Sequence, residues 1–150
     1  MPRINYFAVV VAAVAAFVMS SLWYSPLLFG KQWMELRGVN PSAMANMTMP
    51  VGIILGEIVR TLVVAYVLAR FIMLIGVVDW KGAVRLGVWM WIAFPAVLLV
   101  GSVMWDKVPW MLAAIHAGDW LVKILLMSVI LGVWRRHEPR ELPKNLKNIG

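Results

Sequence analysis

Four long stretches of nearly uninterrupted apolar residues dominate the hydrophobic pattern of this chain. A helix needs roughly 20 mostly apolar residues to cross the hydrocarbon core of a bilayer. The apolar residues run on without alternating with polar ones, which favours helices over the strands of a membrane barrel. The pattern therefore predicts an all-α polytopic membrane protein, a bundle of four transmembrane helices, with spans at about residues 4–29, 50–78, 82–104 and 109–134.

The first of these stretches has an alternative interpretation as a cleaved signal peptide. Arg3 precedes the apolar run, and clustered alanines follow that resemble a cleavage site. The run continues to Phe29, however, well past the short apolar core of a signal peptide. We therefore interpret it as an uncleaved first span, so that residues 1–134 form a four-span transmembrane domain and residues 135–150 a basic tail.

The composition excludes several classes of protein. Hydrophobic residues make up 63% of the chain and charged residues 14%, whereas soluble domains average about 45–50% and about 25%. A soluble domain of 150 residues leaves too much surface in water to hide so much apolar area. The chain has no cysteine, which excludes disulfides, thiolate metal sites and cysteine nucleophiles.

The net charge of +7 is distributed unevenly among the predicted loops. Lys81 and Arg85 lie in the turn between spans two and three, and five more basic residues follow Trp134. Cytoplasmic loops carry such an excess, which predicts that both termini are cytoplasmic. We interpret the tail as a contact for anionic lipid headgroups. Nucleic acid is not expected as a partner, because no aromatic residues alternate with the charges of the tail.

Small residues recur at four-residue intervals within the spans. Such spacing lets helix backbones approach closely, which is how helices associate inside a membrane. We expect these faces to pack against other helices, in this chain or in a second copy, so a homo-oligomer is predicted. The residues are Ala8, Ala12, Ala16 and Ser20 in span one, Gly52 and Gly56 in span two, and Ala114 and Gly118 in span four.

Five ionisable residues lie well inside the predicted spans, where a charge costs roughly 2.5–3.5 kcal/mol at the centre of the bilayer, whereas Arg70 and Arg85 lie close to the turn between spans two and three. The five are Glu57 and Arg60 in span two and His116, Asp119 and Lys123 in span four. Their spacing places each set on one face of its helix. Arg60 matches Asp119 in height, counted from the prolines that begin the two spans. Glu57 matches His116 in the same way.

The matched heights predict a neutral polar cluster between spans two and four, because the two acidic residues balance Arg60 and Lys123. This intramembrane charge cluster lies in the half of the membrane where span one ends and span two begins. Polar side chains from the end of span one are additional candidates for its lining, namely Ser20, Ser21 and Tyr24.

Three interpretations of the cluster stay open. Buried ion pairs can fix which helices touch, which is a structural role. Intramembrane ionisable residues also line ion, proton and solute paths, and a histidine beside a glutamate forms a plausible proton pair. The third is a haem or chlorophyll-type ligand role for His116, whose small neighbours leave space for a flat macrocycle. No other cofactor is predicted.

We predict a small binding or transport-type protein that uses this cluster. The alternative is a non-catalytic accessory or structural subunit of a larger membrane complex. No nucleophile elbow, P-loop, dinucleotide or HExxH pattern occurs in the sequence, so an enzyme is the third candidate. Two histidines and no cysteine argue against a dedicated metal site.

Two strings of residues carry a resemblance to a known family. The end of span one reads Trp23-Tyr24-Ser25-Pro26-Leu27-Leu28-Phe29-Gly30-Lys31-Gln32-Trp33, and the last span ends in Leu125-Leu126-Met127 and Leu131-Gly132-Val133-Trp134. The strings resemble a family of bacterial membrane proteins catalogued as domain of unknown function 1761. The resemblance covers nearly the whole chain. It implies four spans in a bacterial cytoplasmic (inner) membrane and no assigned activity.

The string in span four that carries the charges also has a counterpart in that family. Members often have Asn-Ala-Gly-Tyr-His where this chain has His116-Ala117-Gly118-Asp119-Trp120. The polar positions are kept and the residue types differ, so the resemblance transfers no catalytic residue.

The string at the end of span one has a physical interpretation of its own. Trp23 and Tyr24 can anchor the helix at the membrane interface, Pro26 ends or bends the helix, and Gly30 lets the chain turn. We favour such a helix-exit anchor over a ligand gate. The interface motif comprises Trp23, Tyr24, Ser25, Pro26, Gly30 and Trp33.

Overall fold

The computed structural model describes residues 4–40 and 50–134, and these are helical apart from short turns. The elements are α1 (Tyr6–Trp23), α2 (Gly30–Leu36), α3 (Val51–Ile75), α4 (Trp80–Trp91), a π-helical segment (Ile92–Ala96), α5 (Val97–Trp105) and α6 (Trp110–Val133). From α4 to α5 the helix runs without a break. This continuous helix, α1, α3 and α6 are each long and apolar enough to cross a membrane, which confirms the predicted four-span all-α architecture.

Helix α1 begins at a capped turn and ends earlier than expected. The Asn5 side chain accepts a hydrogen bond from the backbone N–H of Ala8, which satisfies one of the free donors of the first turn. The helix ends at Trp23, whereas the hydrophobic pattern predicted a span reaching residue 29. Pro26 explains the difference, because a proline disfavours helical geometry in the residue before it.

Two residues shape the turn between α3 and α4, a glycine that ends α3 and an aspartate that caps α4. Gly76 ends α3 in the left-handed conformation, with φ at 74°, which glycine adopts without a steric penalty. The Asp79 side chain then caps α4 by accepting from the N–H of Gly82. The second and third spans are therefore joined by a turn of only a few residues.

Pro95 lies inside the third span, where the helix widens locally to π geometry over Ile92–Ala96. A proline inside a helix has no N–H to donate, and its ring crowds the preceding turn. The wider turn accommodates the ring, and the helix continues into α5. Pro95 therefore loosens this helix without ending it.

Helix α6 is the central element, and it contacts α1, α3, α4 and α5. On α1, Ala8, Ala12 and Ala16 are almost completely buried, because small side chains let the backbones approach closely. Met127 of α6 and Ile72 of α3 are the largest fully buried apolar side chains in the described residues. The core therefore lies where α1, α3 and α6 meet.

The small residues predicted to pack on α3 and at the start of α6 do not do so within this chain. A Cβ added at Gly52 or Gly56 would meet nothing within 4 Å, and Ala114 is exposed. Residues 51–60 of α3 lie at the edge of the bundle, and all of them except Glu57 are exposed. Burial along α3 begins at Thr61.

Helix α2 marks one end of the bundle, which we call the α2 end. Here α1 ends, α3 and α6 begin, and α2 lies against α6. The predicted polar residues lie in the half of the bundle nearest this end.

Candidate functional site

A buried ion pair within α6 is the centre of the candidate site. Lys123 Nζ lies 2.7 Å from Asp119 Oδ2, and the two side chains are 5% and 4% exposed. Ser20 of α1 donates a hydrogen bond of 2.8 Å from Oγ to the other carboxylate oxygen of Asp119. The carboxylate thus connects α1 to α6, and its charge is balanced where neither water nor lipid reaches it.

An indole ring joins this pair to the charges of α3. Trp120 lies with its ring centroid 4.3 Å from Lys123 Nζ and 5.0 Å from Arg60 Cζ. Cations at these distances are attracted by the electron-rich face of the ring. Arg60 in turn bonds Glu57 at 2.6 Å, and this second ion pair is about half exposed. The two ion pairs of the cluster therefore meet at Trp120.

Tyr24 and His116 form the part of the site nearest the α2 end. The Tyr24 hydroxyl lies 2.6 Å from His116 Nδ1, and the ring of Trp33 meets Tyr24 edge-on at 5.9 Å. Burial, reinforced by the carboxylate of Asp119, raises the pKa of Tyr24 above its ordinary value. The hydroxyl therefore keeps its proton and can donate it to Nδ1, an arrangement that requires the imidazole proton on Nε2.

The turn after α1 docks on α6 through Trp23. Its indole N–H donates to the carbonyl of Ile115 at 3.1 Å, and its ring lies over Gly118, where a Cβ would come within 2.6 Å of it. Phe29 stacks against Trp23 at 4.6 Å between ring centroids. Trp23, which was predicted as an interfacial anchor, thus packs on α6 through the carbonyl of Ile115 and the open surface of Gly118.

The remaining residues of the interface motif build the turn itself. Ser25 donates from Oγ to the carbonyl of Leu22 at 2.7 Å, and its own carbonyl accepts from the N–H of Gly30. A Cβ at Gly30 would lie 2.4 Å from the carbonyl oxygen of Tyr24, so the turn requires glycine there. Pro26 is exposed. Trp33 buries its Nε1, which has no hydrogen-bond partner within the described ranges.

The structure brings the predicted charged residues together with different partners from those expected. The heights predicted Arg60 beside Asp119, but each ion pair forms within its own helix. Spacings of three and four residues let these side chains meet without any movement of the helices, and Trp120 fills the space across which Arg60 would have reached. Ser21 lies outside the cluster, because its hydroxyl bonds the carbonyl of Phe17 on an exposed face.

Two tryptophans extend the site beyond the residues predicted for it. Trp120 connects the two ion pairs, and Trp91 donates from its indole N–H to the carbonyl of Ala117 at 2.8 Å. Trp120 lies three residues before Lys123, on the face that carries the charges, and this spacing was the available signal. The bond from Trp91 depends on how α4 packs on α6, which no local pattern reports.

The cluster contains few side chains that could bind a metal ion or a cofactor. In residues 4–40 and 50–134, no group of three or more His, Asp or Glu side chains is placed to hold a metal ion. Because His116 uses Nδ1 for Tyr24, ligation of a haem or chlorophyll-type group there would use Nε2.

The titratable side chains of α6 lie one after another on a single helix face. His116, Asp119 and Lys123 are spaced by three and four residues and cover about 10 Å of helix axis. Beyond Lys123, the buried residues of α6 are Ile124, Met127, Ser128, Leu131 and Gly132, none of them titratable. The series therefore starts near the α2 end and stops close to the middle of the helix.

These features define a class: a helical integral membrane protein with four helices long and apolar enough to span a membrane, and with a buried ion pair on one of them. The chain belongs to the family described as Protein of unknown function (DUF1761), whose model matches residues 7–132. This match confirms the family that the two sequence strings predicted. Comparisons with curated proteins and with solved structures gave no match.

Proposed function

We propose that this protein is of the binding or transport type and that its polar cluster takes up protons from the α2 end. The observation that carries the proposal is the ion pair of Asp119 and Lys123, which is almost completely buried in a spanning helix. Ionisable residues inside membrane spans are costly and mark ion, proton or substrate pathways.

The groups on the α2 side of the pair support a proton path towards it. Tyr24 and His116 share a hydrogen bond, and a phenol and an imidazole can each donate and accept a proton. His116 lies three residues before Asp119, so the two side chains share a helix face. A proton that enters at Tyr24 and His116 is therefore one helical turn from the carboxylate.

Protonation of Asp119 couples the polar cluster to the packing of α1 against α6. A neutral carboxyl group no longer balances the ammonium of Lys123, so the pair loosens when the proton binds. The same carboxylate accepts the bond from Ser20 of α1. Proton binding therefore changes the contact between α1 and α6, which is the kind of coupling that a transport cycle needs.

The titratable side chains of α6 reach only from the α2 end to about the middle of the helix. This supports a proton site that is open to one end rather than a continuous path across the membrane. Past Lys123, the buried face of α6 is apolar apart from Ser128, so no titratable group of α6 carries the proton on towards the opposite end. A proton taken up here therefore crosses the membrane only after the helices rearrange.

The test measures proton flux into vesicles that contain the purified protein and a trapped pH indicator. We expect a pH gradient to collapse faster than in protein-free vesicles. Asp119→Asn should bring the rate close to that of protein-free vesicles, because the amide cannot take up a proton and loss of a proton-transferring group typically costs about 10²–10⁴-fold in enzymes. Trp89→Phe is the control, because Trp89 is 63% exposed and lies outside the cluster. Equal rates for Asp119→Asn and the unaltered protein contradict the proposal.

The location and orientation of the protein are part of the proposal. The basic residues near the turn between α3 and α4, Lys81 and Arg85, support cytoplasmic termini and an external α2 end in a bacterial inner membrane. The tail proposed to contact anionic lipid headgroups lies outside the described residues.

A second candidate function is that of an accessory subunit in a larger membrane complex. The observation that favours it is the half-exposed ion pair of Glu57 and Arg60 on a spanning helix, which another helix would cover. Purification in a mild detergent separates the two candidates. Other chains or a pigment at fixed stoichiometry through every step support the accessory role, and a preparation that contains this chain alone supports the first proposal.

A further inference from the structure

The exposed part of α3 carries charges that the other described residues leave uncovered. The side chains of Arg60 and Glu57 are 50% and 45% exposed, although both lie within the span Val51–Ile75. Exposure in this part of the molecule means contact with lipid, where ionisable side chains are costly and usually face protein or water. An ion pair at this position is therefore expected to have a protein neighbour.

The surroundings of this pair are shaped for a close helix neighbour. One face of α3 carries the residues around this pair, because their spacings of three, one and three residues return to the same side of the helix. They are Ile53, Gly56, Glu57 and Arg60. A Cβ at Gly56 or at Gly52, on the preceding turn, would meet nothing within 4 Å. The backbone of α3 is thus open to close approach, which favours helix association in membranes.

We propose that a second copy of this chain covers this face, so that two α3 helices pack against each other around a two-fold axis. In such a contact the same patch occurs on both sides, so the patch must complement itself. The face does so, because each copy presents one carboxylate and one guanidinium. Glu57 of each copy then meets Arg60 of the other, and all four charges are paired across the interface.

The charges of the face favour a second copy over an unrelated helix. A neighbour with a single acidic or basic residue would bring one unbalanced charge to a face whose own two charges cancel. An apolar neighbour would offer neither group a further partner. The dimer also places the second copy beside Arg60, the residue that lies over Trp120, so the open side of the polar cluster is closed. This inference goes beyond the proposed function and does not depend on proton uptake.

Cysteine crosslinking tests the dimer directly, because the chain contains no cysteine of its own. The full chain is purified, reconstituted in phosphatidylcholine vesicles at a low protein-to-lipid ratio and oxidised. Ile53→Cys is the test variant and Leu55→Cys the matched control, since both positions are 56% exposed. Leu55 points about 160° away from Ile53 around the helix axis. We expect a disulfide-linked dimer from Ile53→Cys, at least about tenfold more abundant than from Leu55→Cys.

A charge exchange in the Ile53→Cys variant tests the ion pairing. Glu57→Lys gives each face two positive charges, and we expect the dimer to fall about tenfold. Adding Arg60→Glu to that variant restores one charge of each sign, and we expect the dimer to return. Its return also shows that the single variant did not simply misfold.

Three outcomes overturn the proposal. They are equal crosslinking of Ile53→Cys and Leu55→Cys, absence of the dimer from Ile53→Cys, and failure of the exchanged pair to restore it. The first indicates random collision, the second a protein that is monomeric at this face, and the third a contact in which Glu57 of one copy does not pair with Arg60 of the other.

Discussion

Close contact between one glycine and one indole ring positions the turn after α1 on α6. The ring of Trp23 lies over Gly118 so closely that a Cβ there would be 2.6 Å from Cζ2 and 3.0 Å from Cη2 of Trp23. The same indole donates to the carbonyl of Ile115. Any side chain at position 118 therefore displaces the ring and strains this hydrogen bond.

Gly118→Ala is accordingly expected to destabilise the protein by about 1–3 kcal/mol, the usual cost of overpacking a well-packed site. Thermal unfolding in detergent measures the effect. Gly101→Ala is the control, because a Cβ there meets nothing within 4 Å, and its stability should change by less than about 1 kcal/mol. If both variants unfold at the same temperature as the unaltered protein, the contact with Trp23 does not contribute to stability.

At this scale the sequence predicted positions well and partners poorly. The residues that form the site, from Glu57 to Lys123, could be identified because ionisable groups are conspicuous in an apolar span. The heights of the residues along the spans were also informative. Arg60 was matched in height with Asp119, and in the structure it lies over Trp120, the next residue in the sequence. The partners themselves depend on side-chain conformations and on a ring between the helices, and residue spacing reports neither.

At the scale of helices, the pair of Asp119 and Lys123 lies on one element and bonds another through Ser20. A buried pair is strongly destabilising to break, because removing one partner leaves the other charge unbalanced. Replacing both partners with apolar residues of similar volume removes that penalty. The change in the free energy of unfolding should therefore be large for a single substitution and small for the double substitution.

We expect Asp119→Leu to destabilise the protein by about 3–5 kcal/mol and the double substitution Asp119→Leu with Lys123→Met to be close to neutral. Detergent unfolding curves of the two variants measure the difference. Equal destabilisation by the single and the double substitution would mean that Lys123 is not held by Asp119.

The helices themselves were largely predictable, and their ends and neighbours less so. Long apolar runs identify spans because backbone groups in lipid must be satisfied within the segment. Pro26 signalled that α1 ends near it, but the early end at Trp23 depends on a turn held by Ser25 and Gly30. Small-residue spacing could not distinguish the buried face of α1 from the exposed Gly52 and Gly56 of α3, since the pattern is the same on both.

At the scale of the whole molecule, the proposed orientation rests on the distribution of positive charge. Four spans return the chain to the side on which it started. The turn between α3 and α4 should then be cytoplasmic and the region of α2 external, because basic residues are concentrated near that turn.

Single cysteines in a chain without cysteine report this orientation. We expect Gln32→Cys to react with a membrane-impermeant maleimide in intact cells, and Val78→Cys to react only after the cells are permeabilised. Both residues are exposed in the structure. The reverse pattern would place the α2 end inside the cell, and the proton path would then open to the cytoplasm.

The central claim is that the buried pair is a proton site and does more than hold α1 and α6 together. Proton flux through vesicles that contain the double variant Asp119→Leu with Lys123→Met separates the two roles, because this variant is expected to fold while lacking both proton-exchanging groups. We expect a folded protein whose proton flux falls to that of protein-free vesicles. A folded double variant with the flux of the unaltered protein would show that the pair is structural alone.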